Sequence, residues 1–208
     1  MLHKSIAVFR KTTVMDQKTE AEIVARVLKG EKQAYALLVD EYKAPIYNLA
    51  YRIIGNFDDA EDMAQETFLR AFQQLSRYDM KRRYFTWLYT ISLNLIRNHL
   101  KKTGRGRKDD RHANIPFDGV VSGTEPFAFH EAADSDELRK EQEEELERCL
   151  LKLSPELREL IVLRFYQGLS FEGITEITGL SLSAVKMRVY RGLETLRELI
   201  RKNVTSGR

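Results

Sequence analysis

The segment 77–89, RYDMKRRYFTWLY, combines the two kinds of side chain with which proteins hold single-stranded nucleic acid. Cations can follow a phosphate backbone, and bases can stack on aromatic rings at about 1–3 kcal/mol each. That gain is comparable with the few kcal/mol needed to extrude a base from a duplex. Aromatic residues at helical spacing are more often core residues, and we expect Phe85 and Tyr89 to be buried. The residue types alone therefore leave strand binding and core packing open. The cations are Arg77, Lys81, Arg82 and Arg83, and the rings are Tyr78, Tyr84, Phe85, Trp87 and Tyr89.

The segment 57–75 is acidic at its start and carries five carboxylates before its first cation, Arg70. The helix macrodipole favours acids in a first turn, but it does not explain Glu66, which lies two turns in. Asp58, Asp62 and Glu66 share one face of the predicted helix and repel one another without an internal cation. The pattern predicts a basic protein partner for this face, because DNA could not relieve the repulsion.

The C-terminal part of the chain has the pattern of a helix-turn-helix. A short helix over 171–178 ends at Gly179, and a longer helix begins near Ser181. From Ser181 to Arg208 there are seven basic and two acidic residues, a balance of +5. Such a face is suited to DNA phosphates and major-groove base edges, although a solvated basic face is the simpler alternative. The predicted buried stripe is Leu182, Val185, Val189, Leu193 and Leu196, and the predicted DNA-facing side is Ser183, Lys186, Met187, Tyr190 and Arg191.

The elements that must position these residues are helices, because apolar residues recur at spacings of three and four and nowhere alternate. The pattern predicts helices near 18–29, 31–42, 45–54, 58–75 and 84–102, then near 137–153, 155–167, 171–178 and 182–201. Breaks are predicted at Gly30, Pro45, Gly55 and 76–83. Ser154 before Pro155 predicts a helix start, and Gly168 and Gly179 predict helix ends. The predicted fold class is all-α.

The segment 103–137 lacks helical periodicity and contains two of the four prolines and four of the 11 glycines. We interpret it as a flexible linker between two small helical domains, residues 19–102 and 138–208. Residues 1–18 are expected to be an N-terminal extension.

Composition excludes several function classes. The 208 residues carry a net charge of +3 and no apolar run long enough to span a membrane. The single cysteine, Cys149, cannot form an internal disulfide, and a cytoplasmic location is expected. The four histidines have no metal-ligand spacing, and no glycine-rich phosphate loop occurs, so neither metal nor cofactor is expected. No set of residues resembles a catalytic site, and the chain is not expected to be an enzyme.

Three motifs resemble the extracytoplasmic-function group of bacterial RNA polymerase sigma factors. In chain order they are YNLAYRIIGNFDDAEDMAQETFLRAF, FTWLYTISLNLIRNHLKK and LSPELRELIVLRFYQGLSFEGITEITGLSLSAVKMRVYRGLETLRE. The resemblance implies a helical bundle like sigma region 2, followed by a helix-turn-helix like sigma region 4. It implies recognition of the −10 and −35 promoter elements and assistance in strand opening.

The resemblance also implies partners and site residues. The partners are core RNA polymerase (the β′ coiled coil and the β subunit), promoter DNA and an anti-sigma factor. The implied polymerase-binding residues are Asp59, Glu61, Asp62, Gln65, Glu66 and Phe68. The implied −10 residues are Arg77, Lys81, Arg82, Arg83, Trp87, Asn94 and Arg97, and the implied −35 residues are Arg164, Ser183, Lys186, Arg188, Tyr190 and Arg191. The competing hypothesis is a free-standing helix-turn-helix activator that binds duplex DNA alone.

Overall fold

The computed structural model describes residues 15–104 and 136–206, and within these ranges the regular structure is entirely helical. A first group of helices comprises α1 (Gln17–Leu28), α2 (Tyr35–Ile54), α3 (Phe57–Gln73) and α4 (Tyr84–Lys102). Short 3₁₀ turns at Lys32–Ala34 and Leu75–Arg77 lie between them. The predicted all-α class is confirmed.

A second group comprises α5 (Asp136–Lys152), α6 (Pro155–Ile161), α7 (Phe171–Thr178) and α8 (Leu182–Ser206). Helix α6 continues as a π-helix over Val162–Tyr166. Most of the predicted linker, 105–135, lies outside the described residues, as do residues 1–14. Helix α1 begins within the segment 1–18 that was expected to be an extension.

The predicted break at Pro45 is wrong, because α2 runs unbroken through it. A proline inside a helix costs about 3 kcal/mol, since it removes one hydrogen bond and crowds the preceding turn. Tyr42 and Ile46 on either side of Pro45, and Leu49 beyond them, are fully buried. Burying three large side chains on one face outweighs that cost. The helix ends instead at Gly55, which has a left-handed φ of 75°.

The first group packs around a core that contains tyrosines as well as aliphatic residues. Tyr42, Tyr84 and Tyr89 have no exposed surface. A buried phenol needs a hydrogen-bond partner, and Tyr84 finds one in the hydroxyl of Tyr35 at 3.1 Å. The Tyr35 hydroxyl also donates to the carbonyl of Phe68 at 2.9 Å. These bonds fix α4 against α2 and α3.

The second group packs α8 across α6. Val185, Val189 and Leu196 of the predicted stripe are buried, and Leu193 is partly buried. Leu182 is 38% exposed, so its predicted burial is wrong. It lies at the first helical position, where the chain has not yet reached α6. A side chain on Gly192 would lie 3.1 Å from Ile161, which explains a glycine inside this helix.

The predicted helix ends in the second group are confirmed at two glycines. Gly168 and Gly179 have φ values of 68° and 72°. Ser154 takes the N-cap position before Pro155, but its side chain makes no capping hydrogen bond. The proline alone therefore marks the start of α6.

Candidate nucleic-acid and protein interfaces

The rings of the basic and aromatic segment divide between the core and its edge. Phe85 and Tyr89 are buried, as predicted, and so are Tyr78 and Tyr84. Trp87 is only partly buried and packs on Tyr78 and Tyr84, with centroid distances of 5.2 and 5.7 Å. Burial raises the pKa of Tyr78 to about 12. Trp87 is thus the ring of this segment that a base could reach.

The cations of this segment differ in what they contact. Arg77, Lys81 and Arg82 are exposed on the loop before α4. Arg83 is half-buried, lies 3.5 Å from the Glu20 carboxylate and donates to the carbonyl of Met15 at 2.6 Å. Arg83 therefore has a structural role that the sequence does not predict.

The polar line of α4 follows the same helix toward its C-terminus. Asn94 is exposed. Arg97 is only partly exposed and makes two hydrogen bonds to Glu159 of α6, 2.9 Å from Nε and 2.6 Å from Nη2. The bond to Glu159 raises the pKa of Arg97 above its usual value. A DNA phosphate could reach Arg97 only after Glu159 has left.

The acidic face of α3 is exposed as predicted, but it is not free of cations. Asn56 caps the helix by accepting from the Asp59 amide at 2.9 Å. Glu66 pairs with Arg70 at 2.6 Å, and Asp59 lies 3.4 Å from His99 of α4. The expectation of carboxylates without an internal cation is therefore wrong for Glu66. The residues Glu61, Asp62 and Gln65 are exposed.

A groove of about 850 Å³ runs between α3 and α4 beside this acidic face. Its lining includes the exposed apolar residue Leu69, which is 52% exposed and which sequence analysis missed. Phe68, which was expected to contact a partner, is 9% exposed and packs in the core, where it also lines a second groove of about 520 Å³ with Glu61 and Gln65. A partner would meet Asp62 and Glu66 on the α3 side of Leu69 and the cations Lys101 and Lys102 on the α4 side. The lining is Asp62, Met63, Gln65, Glu66, Leu69, Arg70, Leu95, Asn98, His99, Lys101 and Lys102.

The helix-turn-helix gathers cations from two helices around one ring, Phe171. The Arg164 guanidinium lies 4.9 Å from the centroid of this ring, and the Lys186 ammonium lies 5.7 Å from it. Tyr190 packs against the same ring at 6.4 Å. The π-helix carries Arg164, which also donates to the carbonyl of Leu169 at 2.8 Å.

The remaining residues of the predicted −35 face lie on α8. Ser183 and Lys186 are exposed, and Arg188, Tyr190 and Arg191 are half-exposed. The structure thus brings Lys186 and Tyr190 of this helix together with Arg164 around Phe171, whereas Arg188 lines a different cavity. Phe171 was missed, although an aromatic residue directly after the N-cap Ser170 was a signal for it.

The two groups of helices share one continuous hydrophobic core, and they also contact each other through polar bonds. Besides the Arg97–Glu159 pair, the Tyr89 hydroxyl donates to Gln167 Oε1 at 2.7 Å. Between the groups lies a cavity of about 380 Å³, and its lining includes both Arg97 and Arg188. A predicted −10 residue and a predicted −35 residue therefore face one small space.

Residues 15–104 and 136–206 can be searched for a membrane span and for a metal site, neither of which was expected. No helix there is long and apolar enough to cross a membrane. The same residues contain no cluster of three or more histidine, cysteine or acidic side chains placed to hold a metal ion.

Comparison with known proteins places both groups in one family. The family model for Sigma-70 region 2 matches residues 38–106, and that for Sigma-70 region 4 matches residues 143–196. The ECF RNA polymerase sigma factor SigW of Bacillus subtilis is 35% identical over 185 residues, which are 86% of this chain and 95% of that protein. The RNA polymerase sigma-H factor of Pseudomonas aeruginosa is 30% identical and covers 88% of this chain and 94% of its own.

Two solved structures have a similar fold. CnrH, in complex with the cytosolic domain of CnrY, is 25% identical, with a TM-score of 0.63 over 90% of this chain and 99% of CnrH. The sigma factor RpoE from Bartonella quintana, in complex with the anti-sigma factor NepR, is 26% identical, with a TM-score of 0.58 over 80% of this chain and 96% of RpoE.

Proposed function

Because this chain belongs to the extracytoplasmic-function group of bacterial RNA polymerase sigma factors, we propose that its two groups of helices divide promoter recognition between them. As a sigma factor, the chain binds core RNA polymerase and directs initiation at promoters. Residues 19–102 form the domain for the polymerase and the −10 element, and residues 138–208 form the domain for the −35 element. Residues 103–137 connect them, and residues 1–18 precede them.

The observation that carries this proposal is the basic face assembled around Phe171. A helix that enters the major groove needs polar side chains toward base edges and cations toward phosphates. Arg164 and Lys186 both lie against the Phe171 ring, so their positions are set before DNA arrives. The proposed −35 residues are Arg164, Ser183, Lys186, Arg188, Tyr190 and Arg191.

The proposed −10 surface is the loop before α4 together with the outer side of α4. Exposed cations hold the displaced strand, and Trp87 offers a ring whose inner side already packs on Tyr78 and Tyr84. Such support lets the ring stack on a base without further ordering. The set is Arg77, Lys81, Arg82, Arg83, Trp87, Asn94 and Arg97, of which Arg97 acts only after release from Glu159.

The proposed polymerase-binding surface is the acidic face of α3 together with the α3 side of the adjoining groove, whose other side carries Lys101 and Lys102. Its carboxylates suit a basic coiled coil of the β′ subunit, and Leu69 supplies an apolar centre. The set is Asp59, Glu61, Asp62, Gln65, Glu66 and Phe68, with Phe68 shaping the helix from the core.

The chain supplies recognition and strand opening, and the polymerase supplies the chemistry, so the chain itself is not an enzyme. The proposed location is the cytoplasm, where polymerase and promoter meet. The structural relatives CnrH and RpoE were each solved with a second protein bound, and RpoE with an anti-sigma factor. We expect this chain likewise to be held inactive by an anti-sigma factor.

Run-off transcription with core polymerase and a genomic promoter library tests the function. We expect transcripts only when both the chain and the polymerase are present. If the chain alone binds duplex promoter tightly and polymerase adds nothing, the free-standing activator is correct.

Variants of the −10 surface test the division of labour. Trp87→Ala and Asn94→Ala should bind core polymerase normally but open the promoter slowly, measured by permanganate reactivity of unpaired thymines. A premelted template should partly rescue Trp87→Ala, because unpairing has already been achieved. Asn48→Ala, at an exposed position of α2, is the matched control and should open normally. Equal loss on duplex and premelted templates would instead identify Trp87 as a folding residue.

A further inference from the structure

Glu20 of α1 is a fully buried carboxylate, 0% exposed. Burying a charge costs several kcal/mol unless partners compensate for it. Here Oε1 accepts from the Tyr42 hydroxyl, and Oε2 accepts from the backbone amide of Tyr84 at 3.0 Å. The Arg83 guanidinium lies 3.5 Å from Oε1. Every partner except Tyr42 belongs to the loop before α4 or to the first residue of α4.

The bond to the Tyr84 amide is a helix cap supplied from another part of the chain. The first amides of a helix have no partner within the helix, and a side chain of the preceding residue commonly satisfies one. The residue at that position, Arg83, makes no capping bond. Glu20 takes its place from 64 residues away, and its negative charge also suits the positive end of the α4 dipole.

The start of α1 holds the loop at two more points. Gln17 Nε2 donates to the carbonyl of Lys81 at 3.2 Å, and Arg83 donates to the carbonyl of Met15 at 2.6 Å. The Lys81 carbonyl is thus tied to α1 and the Arg83 side chain to the residue Met15 before α1, while the Arg82 side chain stays exposed.

We propose that Glu20 is a positioning residue for promoter opening, which fixes the first turn of α4 and the loop before it so that Trp87 and the loop cations meet the −10 strand together. Glu20 touches no DNA itself. This inference rests on the proposed function of the loop and of α4. It gives α1, which lies outside the region 2 match at 38–106, a defined part in strand capture.

The physical consequence concerns the fraction of molecules in which the loop and the first turn of α4 are correctly placed. Without the carboxylate, the loop and the first turn of α4 sample other positions, and apparent strand affinity falls with the fraction that remains competent. The acidic face of α3 and the helix-turn-helix make no contact with Glu20 among these bonds. Their binding should therefore be unaffected.

The test compares Glu20→Gln with wild type in complete holoenzyme. Glutamine keeps the size of the Glu20 side chain but loses its charge. Its amide nitrogen would face hydrogen-bond donors that the carboxylate oxygens now accept from. We expect opening to slow by about tenfold, the factor that corresponds to one charge-assisted hydrogen bond, with unchanged core-polymerase affinity and −35 duplex affinity. A premelted template should not restore the rate fully, because strand capture as well as unpairing is impaired. Glu22→Gln, on the exposed side of α1, is the matched control and should behave as wild type.

A second variant keeps the test decisive if Glu20→Gln unfolds. Glu20→Asp retains the charge but withdraws it by one methylene, and it should show a smaller defect confined to opening. The proposal is overturned if either folded variant opens promoters at the wild-type rate. It is also overturned if polymerase affinity, −35 affinity and opening fall in parallel, since that result indicates general loss of fold. If wild type itself gives no promoter-specific transcription with core polymerase, the proposed function fails, independently of Glu20.

Discussion

At the scale of the residue, the buried guanidinium of Arg158 joins the C-terminal ends of two helices rather than pairing with an acid. It is 8% exposed and donates to the carbonyls of Leu150, Leu151 and Leu153 near the end of α5. A fourth bond goes to the carbonyl of Ile53 near the end of α2. Burial lowers the pKa of Arg158 to about 10, which leaves it charged at neutral pH. The last carbonyls of two helices thus have a cationic donor, which the helix dipole favours.

Replacing this residue should be costly because the carbonyls would lose their donor. Arg158→Ala should lower the free energy of unfolding by about 3 kcal/mol, and Arg158→Lys should recover only part of it, since one ammonium cannot span four acceptors. The measurement is urea unfolding followed by circular dichroism. Arg148→Ala removes an exposed arginine from the same region and should change stability by no more than about 0.5 kcal/mol. Equal effects of Arg158→Ala and Arg148→Ala would contradict this account.

At the scale of the element, the acidic face of α3 is the side that we propose contacts the polymerase. Asp62→Lys with Glu66→Lys should place like charges across the polymerase interface, which costs several kcal/mol of binding. The loss of the Glu66–Arg70 pair should cost the helix only about 0.3–0.5 kcal/mol, so the fold should persist. The measurement is a pull-down with core polymerase, with circular dichroism to verify helicity. Glu22→Lys on α1 is the control. A folded double variant that retains polymerase would remove α3 from the interface.

Helix α8 is likewise two-sided, and its outer side should discriminate among sequences. Lys186→Ala or Arg191→Ala should weaken promoter binding by about 1–3 kcal/mol if the side chain contacts a base edge. Arg197→Ala, farther along the same helix, removes the same charge and should weaken all sequences equally. Titration of −35 duplexes and scrambled duplexes separates the two effects. If Lys186→Ala and Arg191→Ala affect both duplexes as Arg197→Ala does, these residues contact phosphate only.

Much of this architecture could be predicted from periodicity, and the failures have physical causes. Helical spacing and glycine positions located the elements, because both are local. The break predicted at Pro45 does not occur, because packing on the buried side of α2 outweighs the local cost of a proline inside a helix. Glu20 falls in phase with Ile23, Val24 and Val27, so an acid at a core position of α1 was a visible signal. Its partners were not predictable, because they come from far along the chain.

At the scale of the whole molecule, the two groups of helices lie against each other and are joined by the Arg97–Glu159 pair. The −10 and −35 elements are separate stretches of the promoter, and each base pair between them adds about 3.4 Å along the duplex. Arg97 and Arg188, proposed for one element each, line the same cavity of about 380 Å³. The Glu159 carboxylate bonds to the Arg97 guanidinium, the group that a DNA phosphate would otherwise contact. On the proposed assignment of Arg97 and Arg188, we expect the two groups of helices to separate when the holoenzyme binds DNA.

The Arg97–Glu159 pair should set part of the balance between closed and open chains. Glu159 is only 6% exposed, and Glu159→Gln would leave a cationic guanidinium against a neutral amide, weakening two charge-assisted bonds. We expect a larger radius of gyration by small-angle X-ray scattering and several-fold tighter binding of a single-stranded −10 oligonucleotide, because Arg97 becomes available more often. Glu176→Gln is the control: this exposed acid of α7 lies outside the cavity lining and should change neither quantity appreciably. Unchanged size and strand affinity in Glu159→Gln would mean that contacts such as Arg158 to Ile53 hold the groups together without help from the ion pair. A larger radius without tighter strand binding would show that Arg97 takes no part in −10 recognition.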